Sequence, residues 1–538
     1  MRVLTVSSFD IHGGAAKAAY RLHEGLQKFG VESKMVVQKK SSKDSSVFEF
    51  SNRESALYDK SFLEAYSKKT QTLFSTSAIN HQRLIEYINN SNADIVHLHW
   101  IANGFISIEN LLEIKKPLVW TLHDMWAFTG GCHYSETCHK YFLECDSCEV
   151  LKSYSSKDLS SINFQRKQDV YANLNNLNII GLSHWISSCA QQSALLRKKN
   201  IVTLPNPIDT TVYKMLDKRQ ARDELGFSSN KKIVLYGAMN ATEDPRKGYR
   251  FLEEASKKLD CDKYLFLIFG TVGNAQKPNT VYCGNIQDSA YLNKLYSCAD
   301  VMVVPSVQEN LSNAIMESLS SGTPVVAFDI GGNSDMVEHK KNGYLAKPFD
   351  ANDLICGIEW VTKNINILSL SGNSRDKTMK NFSHEIVIPK YIQFYKDILR
   401  KNNIHGQTLG LSVDLKMTNM LVESLAVNCF ATTNFSIKFN SFFNQIINLR
   451  SKAIIYGHGT VGKTIQALIP DSIIAFVDQK STLISQDIQK GEVYSPANIP
   501  NMSFDKIIIS VLGREEEIEC YLTQTLHVNK EKIIRLSL

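Results

Sequence analysis

Two glutamates eight residues apart, Glu309 and Glu317, stand in the run Pro305-Ser306-Val307-Gln308-Glu309-Asn310-Leu311-Ser312-Asn313-Ala314-Ile315-Met316-Glu317. An apolar strand leads into a polar loop and then into a helix. The first carboxylate therefore falls in the loop at the strand's carboxyl end, and the second about one or two turns into the helix. Loop amides and the helix N-terminus face the same space, which suits polyol hydroxyls and phosphate. Taken alone, such a pair reads first as helix-capping acids on a solvated face, and it is the surrounding sequence that favours a site. Arg246 and Lys247 stand in a loop after the expected strand 232–236, and Gly13, Gly14 and Gly332 can let backbone approach a ligand closely because they lack a Cβ. His123 ends the strand-like Trp120-Thr121-Leu122 and hangs over the same cleft, either polarising a hydroxyl or serving as a satisfied structural histidine. His97 and His99 alternate with Val96 and Leu98 and read as structural, whereas His12, beside Gly13, is placed to touch a ligand.

Cys132, Cys138, Cys145 and Cys148 fall within seventeen residues as C-x5-C-x6-C-x2-C. Four thiolates so spaced can enclose a tetrahedral Zn²⁺, which would be structural because all four positions are filled. The alternative is reduced or partly oxidised cysteines in a loop. Asp260-Cys261-Asp262 matches D-x-D, a metal–diphosphate motif, but precedes a strand and reads as a solvated turn. Near the end, Gly457-His458-Gly459-Thr460-Val461-Gly462-Lys463-Thr464 satisfies both G-x-G-x-x-G and G-x4-G-K-[ST]. The next strand ends in Asp478, twenty-one residues after Gly457, which fits a ribose-binding acid. Gly457, Gly459, Gly462 and Asp478 are thus a candidate nucleotide-binding set, with a ligand-free remnant as the equal alternative.

These residues need elements to hold them. Strands are expected at 3–7, 33–37, 95–98, 118–122 and 179–183, with a helix over 15–29 whose Ala18, Leu22, Leu26 and Phe29 share a face. A second series is expected at 232–236, 265–269, 280–283, 301–305 and 324–328, and a third from 452 onward. Short β-branched runs alternating with helices predict α/β units with parallel sheets. The division reads as 1–200, braced by a helix over 384–401; 201–383; a linker over 402–449; and a small Rossmann-like unit over 450–538. Two doubly wound halves place a cleft between the carboxyl ends of their strands.

The run EN-LSNAIMESLSSGTPVVAFDIGG resembles the donor-site signature of family 4 retaining glycosyltransferases of the GT-B fold. The Gly13-Gly14 loop, LPNPID at 204–209 and Arg246-Lys247-Gly248 support it, and TLHDMWAFTGGCHY with DPRKG is similar to the colanic-acid and exopolysaccharide type. The resemblance covers residues 1 to about 400. It implies a nucleotide-sugar donor held by Gly13, Gly14, Arg246, Lys247, Asn310, Leu311 and Glu317. It also implies catalysis by Glu309, His123 and Lys247, with Glu317 on the ribose and Lys247 on the diphosphate. Many members carry an arginine where this chain has Gly237-Ala238-Met239-Asn240, so either Arg246 takes that role or phosphate binding is arranged differently. The terminal unit resembles the small Rossmann module that opens some bacterial sugar acetyltransferases.

Apolar residues make up 43% and charged residues 21%, an ordinary globular balance, and the net charge of +6 suits anionic ligands or a membrane surface without requiring nucleic acid. No stretch approaches the roughly 18 uninterrupted apolar residues of a spanning helix. The start reads as a strand entering a glycine loop rather than a secretory signal, and eleven scattered cysteines suit a reducing cytoplasm. The expectation is a cytoplasmic, metal-independent transferase, peripheral to the inner membrane, acting on a glycan or lipid-linked acceptor in surface-polysaccharide or O-antigen assembly. An epimerase or phosphorylase on the same scaffold, or a non-catalytic nucleotide-sugar-binding protein, are the other classes.

Overall fold

Val3, Leu4 and Val6 are buried on both faces of the opening strand, as a parallel sheet covered on each side requires. The computed structural model describes residues 1–51, 53–227, 230–272, 279–406, 449, 451–457, 471–479, 481–482, 492–510 and 515–534. Its first sheet contains β1 (Arg2–Phe9), β2 (Glu32–Lys39), β3 (Val47–Glu49), β4 (Ile95–Leu98), β5 (Leu118–Leu122), β6 (Leu177–Gly181) and β7 (Asn200–Thr203). All pairs are parallel, in the order β3-β2-β1-β4-β5-β6-β7.

The second sheet holds β8 (Lys232–Gly237), β9 (Tyr264–Phe269), β10 (Thr280–Gly284), β11 (Val301–Val304), β12 (Val325–Phe328) and β13 (Gly343–Ala346). Its order is β10-β9-β8-β11-β12-β13. The third contains β14 (Ala453–Tyr456), β15 (Ile473–Val477), β16 (Val493–Tyr494), β17 (Lys506–Ile509) and β18 (Ile533–Ile534), ordered β16-β15-β14-β17-β18. In each sheet the strand order reverses beside the first strand, so β1/β4, β8/β11 and β14/β17 flank the crevices where such sheets bind ligands.

Sequence patterning did not predict the strands β3, β7, β13 and β16, each two to four residues long. The division set at residue 201 falls inside β7, where Ile201 and Val202 pair with Ile179 and Ile180 of the first sheet. The helix His384–Gly406 extends past the segment expected over 384–401, and buries Val387, Ile388, Tyr391, Tyr395 and Ile398 against Val3, Leu22, Leu26, Val119 and Ile180. The chain therefore crosses between the two large lobes twice. The crossings run side by side: Ile208 bridges Ser383, and the Ile208 N–H donates to the Phe382 carbonyl at 2.9 Å.

Candidate functional site

Most of the expected donor-site residues of the first two lobes lie at or just past a strand's carboxyl end. Gly13 and Gly14 follow β1, His99 follows β4 and His123 follows β5; Arg246 and Lys247 lie between β8 and the helix Tyr249–Lys258, and Glu309 follows β11. Glu317 is in the helix Asn313–Ser320, which Ser312 caps by accepting the Ile315 N–H. A separate cavity of about 150 Å³ opens at the opposite edge of the first sheet, beside Arg2, Glu32 and Asn90, away from all of these groups.

At the centre, Lys247 Nζ meets Glu309 Oε2 at 2.9 Å, and Ser306 Oγ donates to the same oxygen at 3.2 Å. Burial disfavours the Lys247 ammonium, but the Glu309 carboxylate and Tyr134 together hold the lysine above its ordinary pKa. This placement depends on close packing. Gly248 has φ +68, and a Cβ there would stand 1.8 Å from the Pro305 carbonyl oxygen. A Cβ on Gly332 would lie 1.8 Å from the Asn310 carbonyl oxygen.

Arg246 pairs with Asp244 (Nη2 to Oδ2, 2.6 Å) and lies 4.3 Å from the ring centroid of Tyr134 in the first lobe. Glu317 accepts from the Arg21 guanidinium of the first lobe and, at 2.9 Å, from the Tyr296 hydroxyl. Arg21 Nη1 is buried without a hydrogen-bond partner. Asn310 bridges the lobes, accepting from Ser183 Oγ at 2.7 Å and donating to the Leu122 and His123 carbonyls at 3.0 and 3.2 Å. Asn313 Nδ2 donates to the Gly14 carbonyl at 2.9 Å, and Leu311 packs in the second lobe's core. The cleft is thus closed by protein–protein contacts through several of the residues expected to hold donor. Sequence reasoning missed Arg21, Tyr134, Ser183 and Tyr296. Arg21 reads as an ordinary charge on an amphipathic helix, and only its position two turns past Gly13-Gly14 hinted at the cleft.

On the first-lobe side the histidines form a ladder. His123 Nε2 lies 2.9 Å from His99 Nδ1, the His99 ring is 4.2 Å from that of His97, and His97 reaches the Tyr395 hydroxyl and Thr121 Oγ1, each at 2.7 Å. Burial pulls His123 down to about 4 and His97 to about 3, and His99 well below its ordinary value, so all three are neutral near pH 7. Burial pushes Asp124 upward, but His133 at 2.7 Å, with the Trp126 and Trp100 N–H groups, holds it below the usual carboxylate range. His12 sits edge-on to the Phe9 ring, their centroids 5.9 Å apart.

The four cysteines 132, 138, 145 and 148 line one small cavity with Phe74, Gly130 and Val150, and none is in a disulfide. Burial pushes the Cys145 thiol up to about 12 and Cys132 higher still. Among the described residues, three ligand atoms within 4.8 Å of one another occur at Asp260, Cys261 and Asp262, all exposed in the turn before β9. In the third sheet, Gly457 (φ +108) and Asp478 follow the adjacent strands β14 and β15, with the Gly457 N–H donating to the Val477 carbonyl at 2.7 Å. Gly459 and Gly462 lie outside the described residues.

Residues 12–212 match the family model for Glycosyltransferase Family 4, residues 230–364 that for Glycosyl transferases group 1, and residues 449–534 that for C2185-like, N-terminal. The chain is 22% identical over 320 residues to an uncharacterized glycosyltransferase of Methanocaldococcus jannaschii, covering 56% of this chain and 75% of that protein. It is 24% identical over 353 residues to the putative colanic acid biosynthesis glycosyl transferase WcaC of Escherichia coli, covering 61% and 83%. Among solved structures, a sucrose-phosphate synthase from Thermosynechococcus elongatus superposes with a TM-score of 0.55 at 18% identity, over 74% of this chain and 100% of that one. Anabaena HepE in complex with UDP and glucose gives 0.51 at 15%, over 74% and 99%. At these identities the structural likeness speaks to the fold alone.

Proposed function

Because the chain belongs to the family 4 glycosyltransferases of the GT-B fold, we propose that it moves a sugar from a nucleoside-diphosphate donor to a hydroxyl of a glycan or lipid-linked saccharide in surface-polysaccharide assembly. The anomeric configuration is retained and no metal is required. The observation that carries this reading is the Lys247–Glu309 pair, 2.9 Å apart, at the β8/β11 switch point and opposite His123.

As the diphosphate leaves, negative charge gathers on its oxygens while the anomeric carbon becomes cationic. Lys247 and Arg246 neutralise the first, and Glu309 with the neutral His123 steadies the second. Donor entry draws Lys247 toward phosphate and frees Glu309 for the sugar. Likewise the ribose hydroxyls take the place of Arg21 on Glu317. The acceptor hydroxyl attacks on the leaving-group face, and the departing phosphate takes its proton. The D-x-D sequence stands in an exposed turn before β9, away from these groups, which supports charge neutralisation by side chains.

In this reading the lobe around the first sheet serves the acceptor, the lobe around the second holds the donor, and the terminal unit binds a nucleotide or nucleotide sugar through Gly457 and Asp478. Among the described residues no helix is long and apolar enough to cross a membrane, and we place the protein at the cytoplasmic face as a peripheral enzyme. The similarity to WcaC, a putative colanic acid biosynthesis glycosyl transferase, supports a polysaccharide setting.

A thermal-shift panel of UDP-, GDP- and ADP-sugars on the full chain tests the donor. One base is expected to stabilise the native protein and to lose its effect in Lys247→Ala. Release of nucleoside diphosphate should depend on acceptor, and product NMR should show the donor's anomeric configuration. No shift with any donor would end the proposal, and donor turnover indifferent to acceptor would favour an epimerase or phosphorylase.

A further inference from the structure

The loop that carries His133 and Tyr134 into the cleft also carries a cluster with no part in sugar transfer. Cys132, Cys138, Cys145 and Cys148 come from three separate arms of this loop yet border one cavity. One of the sulfurs accepts a backbone N–H: Cys145 accepts from Gly130 at 3.2 Å. Cys145 and Cys148 stand as a C-x2-C pair, the spacing of short metal knuckles.

Glycines bring the arms together. A Cβ on Gly130 would lie 2.8 Å from the Cys145 Cβ, and one on Gly131 (φ +135) would lie 2.5 Å from the Phe74 ring. Beside the cluster, buried Lys167 Nζ donates to the Trp126 and Thr129 carbonyls, and burial pulls its pKa down to about 7. An anionic centre at the neighbouring Cys132 and Cys145 would favour its charged form.

We propose that Cys132, Cys138, Cys145 and Cys148 bind one structural Zn²⁺. Four thiols lose four protons to solvent and form four Zn–S bonds, leaving a centre of charge −2 that Lys167 half offsets. No three of these sulfurs lie mutually within 4.8 Å as they stand. Zn–S bonds of about 2.3 Å set sulfurs about 3.8 Å apart, so binding contracts the loop around the ion. That contraction fixes the arm from which Tyr134 stacks on Arg246 and the Glu136 N–H reaches Gln308 Oε1 at 3.3 Å. The metal site stands independently of the transferase reading.

The test uses the full chain, purified reduced and without chelator. Elemental analysis is expected to give one zinc per chain. Cobalt in its place should give the intense thiolate-to-cobalt charge-transfer band of a tetrahedral thiolate site. That band should be lost in Cys148→Ser and kept in Cys261→Ser, which changes an exposed cysteine outside the cluster. Should Cys148→Ser fail to fold, the native protein still decides: the four cysteines should resist alkylation until a chelator is added. Absence of stoichiometric metal after incubation with zinc, or an intact mass showing two disulfides among these four, would overturn the proposal.

Discussion

The two sheets that face the cleft share one architecture and present opposite electrostatics. The second sheet's edge gathers full charges: Lys247 on Glu309, Arg246 on Asp244, and Glu317 on an arginine borrowed from across the gap. The first sheet's edge presents rings that burial keeps neutral, His123 on His99 on His97. A parallel sheet supplies amide dipoles and a crevice in either case. What differs is whether a countercharge lies within hydrogen-bonding distance: on the first sheet's edge Asp124 is met by His133 at 2.7 Å, while His123, His99 and His97 meet only one another and hydroxyls. Charge survives burial where a partner meets it within hydrogen-bonding distance, and titratable rings without one surrender their protons.

The sharpest way to break this contrast is to strip the charged side. Lys247→Ala and Glu309→Ala are each expected to lower kcat by about tenfold to a thousandfold, measured as acceptor-dependent release of nucleoside diphosphate. Near-native turnover in both would remove the charge-based account.

The neutral side should respond less and differently. His123→Ala is expected to lower kcat by about tenfold to a hundredfold, and the native pH–rate profile should lack a histidine limb between pH 5.5 and 8. The stability consequence has a definite sign. The folded values of His123 and His97, about 4 and about 3, lie below the ordinary 6.5. Their contribution is therefore complete above pH 6.5 and is lost as the pH falls toward 4, because the unfolded chain takes up the protons first. Melting curves should show Tm falling over that range, and a flat Tm would contradict the burial.

Backbone closeness gives a smaller effect. Gly248→Ala forces a Cβ against the Pro305 carbonyl at a left-handed φ and should cost at least about 1–3 kcal/mol, read by urea unfolding, with weaker donor binding because Lys247 is the preceding residue. The smallest effect belongs to the exposed turn. Asp260→Asn with Asp262→Asn should leave kcat unchanged with and without added Mn²⁺, and a metal-dependent loss would reopen the metal question.

Much of this arrangement could be read in the residues. Strand-loop-helix patterning around 301–320 placed Glu309 after β11 and Glu317 just past the first turn of the helix, because an apolar run followed by a polar loop and a helical pattern is a local signal. The same locality explains what was illegible. β7 and β13 are no shorter than the expected β4, β11 and β12, but they lie at sheet edges, are only partly buried and lack the continuous apolar run of those inner strands, while β16 has only two residues. Arg21 and Glu317 are 296 positions apart, so their meeting depends on how two lobes close, which no window along the chain contains. The histidine ladder was half visible: alternation put His97 and His99 on one face of β4, but His123 comes from the next strand and Tyr395 from a helix that returns after the whole second lobe.

That return has a mechanical result. The strand-like segment at Ile208 and the turn at Ser383 are the two covalent ties between the lobes, and they are bonded to one another along a single line. Two ties fastened side by side resist twisting and sliding but leave one easy rotation, as the knuckles of a door do. Opening the cleft for a fresh donor is therefore expected to be a swing about that line, smallest at Ile208 and at the neighbouring Arg21–Tyr213 and Lys28–Asp209 contacts. Scattering profiles with and without donor should differ by rotation of two unchanged bodies.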